Sequence, residues 1–538
     1  MSRARRWWRL SEITLRPQDD EALLPQRIAT ALGCSRRAIC EWRVVRKGLD
    51  ARRKGRPLWV YSVDVAVAAD NEVVAAPPRL REVAAPPQRL ELPAAWRAGR
   101  AAAKTRLPVV VIGMGPAGLF AALWLARAGA RVVMLERGRA VAQRQRDIAD
   151  FWAGGPLLAN SNVQFGEGGA GTFSDGKLTA RRRHPLSAYV LQTLADFGAP
   201  NSITTAAKPH IGSDRLRVVV AGFRRELQRM GVDIRFDSTL TALNWQGQRL
   251  GAVVVNDSDE IACSAAVLAI GHSARDTYAM LERSAFVLQP KPFAVGVRIE
   301  HPAALIDRIQ YGEGSYDGLP AADYRLAWND DSSGRGVYSF CMCPGGVVVN
   351  SSSEAGGLCV NGMSDYARAG ELSNSALVVS VRPDDFSAAT PLAGVHWQRH
   401  WERRAFAAGG GDYTAPAQNV LAFLHGKGEA LRGSCRPGIR AAELDEVLPP
   451  FVAQGLRQAL PCFDRKMRGF ISAEATLTAI EARTSAPLRI VRDEHGMAVG
   501  KAGVFPAGEG AGYAGGIMSS AIDGITAARA LWRTLTGE

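Results

Sequence analysis

Residues 107–138 read LPVVVIGMGPAGLFAALWLARAGARVVMLERG, and the order of residue types within them decides the fold. The β-branched run Val109–Ile112 predicts a short buried strand. It runs into Gly113-Met114-Gly115-Pro116-Ala117-Gly118, after which a helix is expected to end near Gly129. A second strand, Arg131–Leu135, stops at Glu136. Strand, glycine-rich turn, helix, strand and terminal acid, in that order, make a dinucleotide-binding unit on a parallel sheet. Gly113 permits the tight turn, Gly115 lets the backbone approach a pyrophosphate, and Gly118 lets the helix pack closely on the strand. The helix start at Pro116 and Ala117 then points its free N–H groups at the phosphates. Glu136, 23 residues after Gly113, is placed to accept hydrogen bonds from a ribose. It disfavours a 2′-phosphate there, while the adjacent Arg137 pulls the other way.

Leu107–Ala126 is also a stretch of 20 residues without a charge, long enough to span a bilayer. The glycines and proline at its centre interrupt any single helix, so the membrane reading is rejected. The whole chain, 538 residues with 47% apolar and 22% charged, has ordinary globular composition and a length that predicts about three domains. That excludes disordered, collagenous and disulfide-scaffold classes. The net charge is +14, and residues 1–106 hold 22 basic against 11 acidic residues, so the excess lies at the N-terminal end.

Residues 7–69 predict a small basic α+β domain, with an apolar run at Ile13–Leu15, a helix Glu21–Leu32 ending at Gly33, and strands Trp42–Val45 and Leu58–Val67. The strands flank RKGLDARRKGRP (46–57), which is either a contact for nucleic acid or another polyanion or a solvated hairpin face; the second is the commoner use of such a run. Residues 71–107 repeat AAPP at 75–78 and 84–87 and read as a semi-rigid linker. The eight cysteines show no CxxC pair or metal-ligand spacing, and the basic N-terminus lacks an apolar signal region. A reducing, cytoplasmic setting and no metal site are expected.

Residues 503–530 read GVFPAGEGAGYAGGIMSSAIDGITAARA, a strand, a glycine-rich turn and a helix. Paired with GxGPAG…ER, this resembles the FAD-binding fold of the glutathione-reductase and p-hydroxybenzoate-hydroxylase type. The resemblance implies that Gly508 and Glu509 contact the ribityl and pyrophosphate part of FAD, and that Gly512, Gly515, Gly516 and Ile517 start a helix aimed at the flavin ring. Helix Leu216–Met230, strand Val232–Phe236, a meander to Val255 and AIGHSARD (269–276) occur in the order such flavoproteins use, with Gly271 approaching the cofactor. More narrowly, the chain from about residue 10 onward is similar to a bacterial family of uncharacterised FAD-dependent dehydrogenases. Its marks are RKGLDARRKG, NVQFGEGGAGTFSDGKL (162–178), PHIGSDRLR (209–217), KPFAVGVRIEHP (291–302), YSFCMCPGGVVVNSSSE (338–354) and EARTSAPLRI (481–490).

The fold expected is therefore α/β: a Rossmann-like FAD/NAD(P)-binding fold with an inserted α+β substrate domain, behind the N-terminal domain. The expected boundaries are 1–70 for that domain, 71–107 for the linker, 108–160, 161–215 and 216–285 for the first FAD-binding parts and connection, 286–470 for the insert and 471–538 for the last FAD-binding part.

The loop 162–178 places glycines 166, 168, 169 and 171 before Thr172, Ser174, Asp175 and Lys177. Gly168, Gly169, Gly171 and Thr172 suit a loop around a flat ring. Lys177 suits negative charge near N1 of reduced flavin, or faces solvent. Cys341 and Cys343 share a face of a strand, as a redox pair beside flavin or as two small core residues, the commoner use. His210 and His272 are acid–base candidates with a structural alternative. Arg275, Arg298 and above all Arg483, beside Thr484 and Ser485, are candidates to grip a substrate carboxylate. No second nucleotide fingerprint occurs between 140 and 500, so any NAD(P)H binds transiently. These readings converge on an FAD-dependent oxidoreductase moving hydride between flavin and a small organic substrate. A flavin-dependent monooxygenase, an RNA-modifying flavoprotein and a flavin redox sensor are the alternatives.

Overall fold

The computed structural model describes residues 5–68, 80–87, 89–99, 106–179, 184–386, 390–428 and 430–537. Of the 71–107 linker, residues 71–79, 88 and 100–105 lie outside them. Its described part contributes one strand, Leu80–Val83, to the N-terminal sheet. That sheet is antiparallel, in the order Ile39–Asp50, Leu58–Ala68, Arg5–Leu15, Leu80–Val83. Leu24, Ile28 and Leu32, at helical spacing, bury one face of helix Leu24–Leu32 against Leu10, Val63 and Val65. Gly33 ends the helix in the left-handed conformation.

The basic hairpin is partly docked. The Lys47 N–H donates to the Thr205 carbonyl (2.8 Å), Ala207 N–H donates back to Lys47 (2.7 Å), and Gly55 N–H donates to Tyr311 (2.5 Å). Arg52 remains 90% exposed at the tip.

Val109–Ile112 and Val132–Leu135 are wholly buried, as β-branched runs in a parallel sheet covered on both faces must be. They form a five-stranded parallel sheet in the order 504–506, 265–268, 109–112, 132–135, 233–235. Helices Pro116–Arg127, Ser213–Arg229 and Ile517–Thr536 cover one face. The antiparallel meander 240–262 and Tyr278 and Leu281 of helix Arg275–Arg283 cover the other. The fold is Rossmann-like and FAD-binding in type.

Residues beyond 285 build a seven-stranded sheet in the order 327–330, 335–343, 372–381, 293–302, 476–481, 415–419, 439–441. In strand Phe293–Pro302, alternation sends Phe293, Val295, Val297 and Ile299 into the core under helix Pro450–Lys466. It leaves Arg298 and Glu300 on the opposite face. Strand Thr476–Glu481 lies in the middle of this sheet although it follows residue 470, so we place the end of the insert near residue 484.

The two large units are joined by buried charge. Glu402, on helix Ala393–Ala408, accepts from both nitrogens of Arg275 (2.8 and 2.7 Å) and from Arg483 (2.8 and 2.7 Å). Burial alone would protonate Glu402, but the two guanidinium groups outweigh it and hold the carboxyl down at about 2. Truncating it takes the ion-pair partner from buried Arg483 and leaves buried Arg275 with Glu354 alone. Glu402→Ala is expected to cost about 4 kcal/mol, read as a fall in the denaturant midpoint, and Glu402→Gln is expected to restore only part of it.

Candidate functional site

The glycine loop 162–173 has little regular structure, so side chains must satisfy its backbone. Arg144 does most of this. It is fully buried and donates to the carbonyls of Asn162, Val163, Gly166, Glu167 and Gly169 at 2.8–3.2 Å. Burial lowers its pKa to about 10, against the pull of Glu136 and Glu167, so it remains charged. Sequence reasoning missed Arg144. The signal was its place at helical spacing with Val141, Ile148 and Phe151, on the buried face of helix Val141–Trp152.

Glu136 supplies the complementary acceptors, taking the N–H groups of Met114 (2.8 Å), Gly138 (2.9 Å) and Gly166 (2.9 Å). One carboxylate thus binds the 113–118 turn to the glycine loop, leaving about one acceptor position on Oε2 for a ribose hydroxyl. Arg137 pairs with Asp276 (3.0 Å) and lies over the Phe165 ring.

The turn glycines differ in what surrounds them. A Cβ on Gly113 would overlap the Ala269 carbonyl and one on Gly118 the Gly113 carbonyl, whereas Gly115 meets only Gly169 Cα at 3.9 Å. Gly168 donates to Met114 O (2.9 Å), and Gly169 packs on Gly115. Gly171 faces Ile517, at the start of helix Ile517–Thr536, with Pro116 close by, and Ala117 packs on Gly524 of that helix. Thr172 is buried and bonds Glu167 O at 3.3 Å. Gly508 packs on Ala117 and Gly512 on Leu488, while Gly271, Gly515 and Gly516 face open space.

A cleft of about 330 Å³ opens beyond the carboxyl ends of strands 132–135 and 265–268, between Arg137, Phe165, Ser273 and Asp276 on one side and Ser353, Glu354 and Arg399 on the other. That is where open parallel sheets take ligands. Beside the glycine loop lies a second cluster of Lys177, Cys341, Cys343 and Glu509. Lys177 Nζ is 3.5 Å from Asp175 and otherwise has no hydrogen-bond partner among the described residues. Burial opposes its charge, but Cys343, Asp175 and Cys341 outweigh that and raise its pKa. Glu509 is half-buried; its carbonyl accepts from Gly512 N–H (2.9 Å), its carboxylate has no hydrogen bond to the described residues, and burial pushes its pKa up to about 7 despite Lys291.

Other expected site residues are engaged structurally. The carboxylate held by Arg483 is the protein's own Glu402, and its remaining contacts are Ser353 Oγ (2.6 Å) and Ser273 Oγ (3.2 Å). Thr484 bonds the backbone of Ala294, so this trio does not grip an outside carboxylate. Arg275 is held likewise by Glu402, Glu354 and Gln398. Arg298 is taken up by Glu481, Asn361, Asn374 and the Cys341 carbonyl. His272 bonds Ser273 Oγ at 2.9 Å, and burial with the charges of Arg483 and Arg275 lowers it to about 3, leaving it neutral at neutral pH. His210 stacks on Tyr366 and bonds its carbonyl at 3.0 Å. Among the described residues no His, Cys, Asp or Glu group is arranged to hold a metal, and no helix is long and apolar enough to cross a membrane.

Residues 292–484 match a family described as FAD-dependent protein, C-terminal domain-like. Residues 106–148 match an FAD binding domain, and residues 8–66 a domain of unknown function. An uncharacterized protein of Clostridium beijerinckii is 43% identical over 525 residues, 97% of each chain. The chain belongs to this family of FAD-dependent proteins. As a member it is a flavin-dependent enzyme with FAD as its cofactor. A menaquinone reductase of Mycolicibacterium smegmatis is 32% identical over 179 residues, 31% of this chain and 38% of that one. The solved structure of a flavin-dependent brominase, Bmp2, covers 81% of this chain and 80% of its own at 13% identity, with a TM-score of 0.38.

This FAD-dependent protein has room for its cofactor where the open glycines 271, 515 and 516 lie, and Lys177 Nζ, ion-paired with Asp175 but without a hydrogen bond, is a buried polar atom that a ligand would satisfy. Gly115→Ala is expected to fold and lose FAD affinity, whereas Gly118→Ala fails to fold stably; flavin content and far-UV circular dichroism separate the two. Glu509, raised in the folded chain, binds its proton more tightly there than when unfolded. Stability of the apoprotein should therefore fall as pH rises from about 4.5 to about 7. In Glu509→Gln that slope should flatten, as denaturation at a series of pH values would show.

Proposed function

We propose that this flavin-dependent enzyme is an oxidoreductase that takes hydride from, or gives it to, a small organic substrate held under the inserted sheet. The observation that carries the reading is Lys177: a cation drawn out of solvent, with Nζ unmatched by hydrogen bonds, at the end of the glycine loop. FAD, when bound, supplies the two-electron chemistry. Gly115, Pro116, Ala117 and Gly118 present the helix start to its pyrophosphate, and Glu136 takes a ribose hydroxyl. Gly168, Gly169, Gly171 and Thr172 line its ring with Gly516 and Ile517. Lys177 stabilises the negative charge that reduction places on the ring. Glu509, with a pKa near neutrality, holds or releases a proton at its carboxyl oxygens.

Both electron directions fit these residues, and a nicotinamide coenzyme would be a passing visitor to the cleft. We place the protein in the cytoplasm on its cysteine usage. The partial likeness to a menaquinone reductase makes a quinone one acceptor to test. The purified protein is expected to be yellow and to release FAD on denaturation. Lys177→Met is expected to retain FAD and to lower the two-electron potential of the bound flavin by about 30 mV, the equivalent of about 1.4 kcal/mol, measured by dye-equilibrated reduction. An unchanged potential would remove Lys177 from the proposed role, and a colourless protein that takes up no FAD would overturn the reading itself.

A further inference from the structure

Cysteines two apart on a regular strand face the same way but stand too far apart to bond. Strand Arg335–Cys343 is not regular at this point. Its pairing with strand 372–381 slips between Phe340 and Cys343, and Cys341 has φ of +45°, a conformation that costs a residue with a side chain. Arg298 fixes the bulge by donating to the Cys341 carbonyl at 2.9 Å while Glu481 holds its other side. As a result the Cys343 thiol turns back along the strand and donates to the Cys341 carbonyl oxygen at 3.3 Å. Cys341 is half-buried and Cys343 buried.

We propose that Cys341 and Cys343 are a dithiol–disulfide pair that exchanges two electrons with the bound flavin. The inference rests on the flavin reading above. In the forward sense the Cys341 thiolate and the Cys343 thiol form the Sγ–Sγ bond, giving up two electrons and one proton, and oxidised FAD takes up both electrons and that proton to become anionic reduced FAD. In the reverse sense reduced FAD opens the disulfide.

The surroundings separate this pair from the chain's inert thiols. Burial pushes Cys263 up to about 12 and Cys359 up to about 11. Cys341 moves the other way, well below its ordinary value, because the Cys343 thiol hydrogen-bonds to it and Lys177 and Arg298 add positive charge; Asp175 opposes. Cys343 rises and keeps its proton. One accessible thiolate backed by one buried thiol is the division of labour that exchange requires. Cys343 and Ser364 flank Gly346, and Ser364 donates to Asp175, the ion partner of Lys177, so the pair lies against the end of the glycine loop.

The test uses the purified holoprotein. Its visible spectrum first establishes bound flavin. The protein is then oxidised with ferricyanide, freed of oxidant and titrated anaerobically with dithionite. Wild type is expected to take up twice the electrons per flavin that Cys341→Ser and Cys343→Ser take up. In parallel, alkylation and peptide mapping of oxidised wild type should leave Cys341 and Cys343 unmodified, and label both after reduction. Equal electron uptake in wild type and variants, or full alkylation of both cysteines in the oxidised protein, would overturn the pair and leave the flavin reading intact. Absence of flavin would overturn both. The mapping needs no variant, so a misfolded substitution does not shield the proposal.

Discussion

The cofactor site depends on two opposite charges buried beneath a loop that cannot hold itself. Residues 162–169 lack the regular hydrogen bonds of helix or sheet, and a buried backbone without partners is too costly to persist. Arg144 satisfies the carbonyl groups and Glu136 takes amides from the loop and from the 113–118 turn. The same pair therefore sets the distance between the turn and the loop. Every group after the loop, Asp175 and Lys177 included, inherits its position from that distance.

The inserted sheet is positioned by a second buried charge set, Glu402 between Arg275 and Arg483. This joins the helix that follows strand 265–268 to the helix behind the sheet, so the polar face carrying Arg298 is held over the glycine loop. Two arginines that look like ligand-binding groups brace this join: Arg275 crosses to Glu402, and Arg483 pairs with Glu402 inside the insert and reaches across to Ser273. Asp175 extends the connection, since it binds Arg368 (2.6 Å), Ser364 and Lys177 together.

What could be read from the sequence was local. Val109–Leu135 carries strand, turn, helix and strand within one short segment, and each step has its own residue signal, so the fold class was legible. The pairing of strand Thr476–Glu481 with residues 293–302 was not legible, because no local pattern reveals a partner so far away in sequence. Arg483 looked available because Glu402 lies 81 residues away in sequence. Arg144 was overlooked because a charged residue on an apolar helix face reads as a surface residue until the loop above it is known. Alternation put Cys341 and Cys343 on one face, but the pairing slip between Phe340 and Cys343 and the Arg298 hydrogen bond to the Cys341 carbonyl involve other strands and leave no local signal.

The segment 205–212 is a strap with a different neighbour on each side. At one end it bonds Lys47 of the basic hairpin; at the other, Leu178 N–H donates to Pro209 (2.9 Å) and Ile211 N–H to Gly176 (3.1 Å), on either side of Lys177. The first hundred residues are thus no detachable appendage. Cutting them away takes backbone partners from the strap that braces the half-buried Lys177, so a shortened chain would report on the flavin end as much as on the hairpin. Recharging the exposed Arg52 alone isolates the hairpin's own contribution.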